Sequence, residues 1–196
     1  LPEKVSLVTR QIVFLMPNHF VLFDRVAATD LAYRKEWLLH TALEPAIEGK
    51  VVRADHKQGR LFCRTLFPED AALTPVGGPG REFWAAGKNW AIDAGNLKPE
   101  QLAMMGQWRV EVSPGAPRAE ECFLHVIQVG AQTLERMDEA ALLRGDGTLG
   151  ARVSAGGRTW EVTFATRGDL AGHVRRTGGA PLDRALATTV TPQSGI

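Results

Sequence analysis

Strict alternation in residues 158–166, "RTWEVTFAT", sends Trp160, Val162 and Phe164 to one side of an extended chain and Glu161 and Thr163 to the other, after a turn at Ala155-Gly156-Gly157. One side of such a strand must be buried. Short β-type runs of this kind, cut by Gly, Pro and Asn, recur along the chain. They favour an all-β fold, a multi-stranded antiparallel β-sandwich with few short helices, over a helical or βαβ architecture. A chain of 196 residues is long enough to bury the core this needs without help from metals or disulfides.

The runs can be placed one by one. "KVSLVTRQIVFLMP" and "NHFVLFDRV" read as two strands around Pro17-Asn18, where proline sets φ and asparagine tolerates the turn. "YRKEWLLHTAL" has helical propensity, but Tyr33, Trp37 and Leu39 fall at multiples of two, which predicts a strand. "GKVVRADHKQGRLFCRTLFP" predicts a hairpin with "DHKQG" as its loop and Val51 and Val52 facing the segment Leu61 to Leu66. "QWRVEVSP" and "CFLHVIQVG" are further strands joined by "PGAPRAEE". Helix is expected in "KPEQLAMMG" and "TLERMDEAALLR", each so short that it depends on tertiary packing. Past Gly168 the periodicity fades, and residues 170–196 are expected to form a tail or a strand along a sheet edge. With no internal repeat and no strong linker, residues 1–196 read as one β-sandwich domain.

Composition narrows the function classes. Lys and Arg total 23 against 22 for Asp and Glu, so no net charge advertises nucleic acid or an anionic membrane as partner. Arg152, Arg158, Arg167, Arg175, Arg176 and Arg184 give the last third a basic bias, read as a solvated surface. Cys63 and Cys122 lack any metal-ligand spacing, and whether they pair is left open. No apolar run approaches the roughly 20 residues of a membrane-spanning helix. Residue 1 is leucine and a strand pattern starts almost at once, which suggests a fragment or a processed product.

The stretch "GGPGREFWAAGKNW" at residues 77–90 concentrates glycine, tryptophan and charge. A phosphate loop would need glycine where Glu82 stands and a hydroxyl where Asn89 follows Lys88. A dinucleotide turn would need a small residue at Phe83. Both fail. What remains is sugar contact or scaffold. The faces of Trp84 and Trp90 suit pyranose rings, while Arg81, Lys88 and Asn89 suit hydroxyls, carboxylates or sulfates. Buried tryptophans also plug sandwich loops, with the glycines permitting the turns, and that scaffold reading is preferred over direct sugar contact.

Four stretches, "TRQIVFLMPNHFVLFDRV", "YRKEWLLHTALEP", "GGPGREFWAAGKNW" and "GQWRVEVSPGAP" with "CFLHVIQV", occur in an order that resembles the C-terminal β-rich portion of the heparinase II/III-like polysaccharide lyases. The resemblance spans roughly residues 8–130 and extends more loosely to "DGTLGARVSAGGRTWEVTF". It implies an α/α toroid, N-terminal to this chain in a parent protein, packed on a β-sandwich with an acidic polysaccharide in the cleft between them. It also implies β-elimination: a uronate carboxylate is neutralised, a base takes the adjacent proton, and the 4-linked oxygen is protonated. Tyr, His, Asn and Arg serve those roles in the family. This sequence holds neither the toroid nor the upstream His/Asp-rich segment. The expectation is therefore an accessory domain of a periplasmic or secreted lyase, inactive by itself, with no cofactor of its own and any divalent metal held upstream. A stand-alone carbohydrate-binding or structural module is the alternative.

His19, beside a turn at a strand start, is a candidate for substrate contact, set against a structural histidine. His40 and His125 follow apolar runs and read as core histidines. Tyr33, the sole tyrosine, reads as packing beside Trp37, and Asp24-Arg25 as a charge-assisted contact at a strand end. Catalytic residues stay unassigned.

Overall fold

The computed structural model describes residues 3–90, 92, 95 and 97–186, with 59% strand and 3% helix. The protein is all-β. It divides into two compact units, one running to Met137 and one from Asp138.

In the first unit, β1 (Val5–Leu15) and β2 (His19–Ala28) form the expected hairpin across Met16-Pro17-Asn18. The segment reading as helix by propensity but strand by spacing yields β3 (Trp37–Thr41), which buries Trp37 and Thr41 and turns Leu38 and His40 outward. After β4 (Ala46–Glu48), β5 (Val51–His56) and β6 (Gly59–Phe67) pair with Val52 opposite Cys63. Their turn is only Lys57-Gln58, with Lys57 at φ 52°, so most of the expected loop belongs to the strands. Then come β7 (Ala72–Gly77), β8 (Trp84–Ala85), β9 (Lys88–Asn89), the helix α1 (Pro99–Met104), β10 (Trp108–Ser113) and β11 (Glu120–Ala131). Helix α1 falls where "KPEQLAMMG" predicts it, opened by Pro99 and capped by Gln101 reaching back to the Lys98 N–H at 2.9 Å.

These strands make a six-stranded sheet in the order β1-β2-β11-β6-β5-β4 and a three-stranded sheet in the order β3-β10-β7. β10 and β11, consecutive in sequence, lie in different sheets, so "PGAPRAEE" crosses between layers. The layers meet in a core of Leu22, Val52 and Phe123 from one sheet and Trp37, Val110 and Val112 from the other. Each such side chain contributes roughly 1.5–3 kcal/mol by leaving water. His125 sits in this core with no exposed surface, stacked on Trp37 at 3.8 Å between ring centroids, its Nδ1 3.2 Å from the Thr65 hydroxyl.

Three expectations are corrected here. His40 is exposed, because it alternates with Trp37, Leu39 and Thr41 and those residues take the inward side. Asp24 does not pair with Arg25, since neighbours on a strand face opposite ways; Asp24 accepts both Arg10 contacts at 2.7 Å, while Arg25 donates to the Thr9 hydroxyl at 3.2 Å. "TLERMDEAALLR" is not a helix: its second half is β12 (Glu139–Gly145), with Ala140 opposite Val153 and Leu142 opposite Ala151. Pairing to a neighbouring strand outweighs a helix propensity that is weak over so few residues.

The second unit is a meander in which β12, β13 (Thr148–Ala155), β14 (Arg158–Ala165), β15 (Gly172–Thr177) and β16 (Leu182–Ala185) pair in sequence order. Trp160, Val162 and Phe164 share its buried face, as their alternation requires. Two strands follow Gly168, and β16 forms one sheet edge. The rest of the expected tail, residues 187–196, lies outside the described residues.

Candidate functional site

The outward face of the β3-β10-β7 sheet carries the richest polar chemistry of the first unit. Because the inward positions are apolar, alternation delivers Leu38 and His40 from β3 and Arg109 and Glu111 from β10 to the same open side. Arg109 lies opposite His40 on one flank and Val76 on the other, and Glu111 lies opposite Leu38 and Thr74. Arg34 and Glu36 continue the pattern in the segment leading into β3.

The β8-β9 hairpin forms the wall over this face. Its approach needs Gly77, which ends β7, and Gly78, which follows it. A Cβ on Gly77 would lie 2.6 Å from Trp108 Cδ2, and one on Gly78, at φ 78°, would lie 2.9 Å from Trp108 Cζ2. The chain thus packs flat against the Trp108 indole, and any side chain would lift it. Beyond, the Glu82 carboxylate accepts from the Gly80 N–H at 3.0 Å and from the Asn89 amide at 3.0 Å, while Asn89 Oδ1 accepts from the Phe83 N–H at 2.8 Å. Backbone N–H groups of Glu82 and Gly80, with the Asn89 amide, hold the Glu82 carboxyl below its usual range. The hairpin turn is Ala86-Gly87, at φ 49° and 80°, the signs a two-residue turn between twisted strands requires.

Sheet face and hairpin enclose a cleft of about 550 Å³, lined among others by Arg34, His40, Arg81, Trp84, Arg109 and Glu111. Three arginines face two carboxylates. Arg109 is held by Glu111 through Nε at 2.9 Å, and Arg34 by Glu36, which also accepts from the Ser113 hydroxyl at 3.2 Å. Arg81 has no carboxylate partner among the described residues; its guanidinium lies 5.0 Å from the centroid of the Trp84 ring. Among the described residues, the cleft therefore offers a cation without a carboxylate partner, stacked beside an aromatic surface.

Of the residues singled out in the sequence, Arg81 and Trp84 line this cleft. Lys88, Asn89 and Trp90 belong to the same hairpin and lie outside the lining. Both ends of the Asn89 amide are engaged within the loop. Trp90 is 54% exposed, with Lys88 Nζ 3.4 Å from its ring centroid and its own N–H donating to the Ala85 carbonyl at 3.0 Å, so it is not a buried plug. His19 is elsewhere: it opens β2 opposite Leu15 and Gln128 and is 3% exposed. His40, Arg34 and Arg109 were missed as site residues. The signal for the arginines was the spacing Arg34/Glu36 and Arg109/Glu111, which on a strand puts each charge pair on one face.

A second hollow, about 690 Å³, lies between β3 and the projecting β1-β2 hairpin. Tyr33, Lys35 and the Arg10–Asp24 pair line it, and it shares Arg34, Glu36, Leu38 and His40 with the first cleft. No group of three or more His, Cys, Asp or Glu side chains able to hold a metal occurs among the described residues. Cys63 and Cys122 form no disulfide, and burial pushes the Cys63 thiol up to about 12. No helix among the described residues is long and apolar enough to cross a membrane. No family model matches the sequence, and no curated protein matches it either.

Proposed function

We propose that this chain is an accessory β-portion of a polysaccharide lyase that cleaves uronic-acid-containing glycans, and that it supplies a binding wall rather than the reacting groups. The observation that carries the reading is the cleft between the β3-β10-β7 face and the β8-β9 hairpin, where Arg81 stands beside Trp84. A uronate residue presents an apolar ring face and a carboxylate, and those are the two things an aromatic surface and a guanidinium without a carboxylate partner among the described residues recognise. The order of the sequence stretches that resemble heparinase II/III-like lyases supplies the rest of the proposal: elimination chemistry, a toroid N-terminal to this chain as intramolecular partner, any divalent metal held in that upstream part, and a periplasmic or secreted setting.

The test is calorimetric titration of the chain with oligosaccharides of heparin, chondroitin sulfate, hyaluronan and alginate. Binding is expected for at least one of them, weakened about tenfold by Arg81→Gln, the weight of one charge-assisted contact. Absence of binding to all four overturns the reading. Binding untouched by Arg81→Gln removes the cleft from it.

A second reading, elimination by the chain itself, has one observation in its favour: Tyr33 and His40 line the same hollow with Arg34. The absorbance of the unsaturated uronate product separates the two readings. A steady rise with the isolated chain, abolished by Tyr33→Phe, establishes catalysis here; a flat trace with a binding-competent chain supports the wall.

A further inference from the structure

The cleft under the hairpin and the hollow beside β1 and β2 share four lining residues, Arg34, Glu36, Leu38 and His40, all in or just before β3. Sharing these residues, the two hollows adjoin along that strand as the two lobes of the trough proposed below. Its charges are mostly spoken for. Arg109 is held by Glu111, Arg34 by Glu36, and Arg10 by Asp24 through two contacts of 2.7 Å.

Two cations of the lining remain without a carboxylate partner among the described residues, and they lie in different lobes. Arg81 is in the hairpin lobe. Lys35 is in the other, where its ammonium donates to the Tyr33 carbonyl at 2.9 Å. Between the lobes lie Leu38 and His40 of β3, and the Arg34 side chain at the waist, held by Glu36, is 77% exposed.

We infer that the trough binds a linear uronate chain along β3 at two separated anionic groups, one on Arg81 and one on Lys35. The inference rests on the proposed reading of the hairpin cleft as a uronate site and adds a second anchoring point and a minimum ligand length. A ligand too short to bridge the lobes uses one cation at a time. A longer one gains the second contact intramolecularly, at the effective concentration set by the first.

The experiment is titration with size-fractionated oligomers, from disaccharide to decasaccharide, of the same four glycans. For a glycan that binds, affinity should step up by about tenfold once the oligomer spans both lobes. For those longer oligomers, Lys35→Gln and Arg81→Gln should each weaken binding about five- to tenfold, and Lys35→Arg should retain it. For the disaccharide, the two substitutions should not both matter. Hyaluronan and alginate carry carboxylates alone, so a step seen only with heparin and chondroitin sulfate assigns the Lys35 contact to sulfate and overturns the uronate form of the inference. Affinity independent of length, or a long-oligomer affinity that Lys35→Gln leaves unchanged while Arg81→Gln lowers it, removes the trough and leaves the cleft. No binding by any glycan removes both. An unchanged melting temperature for Lys35→Gln confirms that a loss of affinity is not a loss of fold.

Discussion

Burial of an imidazole among aromatic rings gives His125 a defined pH signature. Desolvation, with a smaller contribution from the Arg10 charge, pushes it down from 6.5 to about 3. The folded protein therefore keeps the ring neutral where the unfolded chain binds a proton. Above the unfolded value the effect vanishes; as pH falls from 6.5 towards 3, stability drops by up to about 1.4 kcal/mol per pH unit. Urea midpoints measured at pH 7, 5 and 4 should fall steeply for the natural chain, and less steeply for His125→Leu. Equal slopes would mean that another group sets the acid limit. With φ at 78° and the Trp108 ring 2.9 Å from a virtual Cβ, Gly78→Ala should cost about 1–3 kcal/mol, read from thermal melting.

Within the β8-β9 hairpin, residues of similar sequence promise divide into support and surface. Asn89 satisfies the Phe83 N–H and the Glu82 carboxylate together, so Asn89→Ala leaves two groups short of partners and should destabilise the unit by about 1–2 kcal/mol. Trp90 is 54% exposed, and Trp90→Ala should change stability by less than about 1 kcal/mol. Melting curves of the two variants check the contrast; a larger loss for Trp90 would show that the ring is packed in solution. The sequence showed that these residues cluster. It could not show which of them hold the loop, since that depends on a register in which Trp84 pairs with Asn89 and Ala85 with Lys88. The β12 segment failed for a similar reason: Glu, Arg, Met, Ala and Leu favour helix locally, and only the waiting edge of β13 makes them a strand.

In the molecule as a whole, β1 is a long strand of the first unit with most of its positions exposed. It edges the six-stranded sheet, and Val8, Ile12, Phe14 and Met16 are between 49% and 69% exposed along one side. A long apolar edge strand is a template for pairing with another chain, and Arg10, tied to Asp24, is the only charge interrupting it. Ile12→Lys should lower concentration-dependent light scattering while leaving the melting temperature within about 1 °C, because little buried surface is lost. Unchanged scattering would place the association surface elsewhere.

Local patterning alone was enough to settle the all-β class, the hairpin of β1 and β2, helix α1 and the buried face of β14, because a period of two assigns side chains to faces without reference to the rest of the chain. It also exposed the cluster at residues 77–90. Only tertiary structure decided that β10 and β11 part into different layers, that His40 faces outward while His125 faces in, and that Arg34 and Arg109 join Arg81 around one cleft. Alternation says which residues share a side. Which side is covered depends on strands distant in sequence, whose pairing no local period encodes.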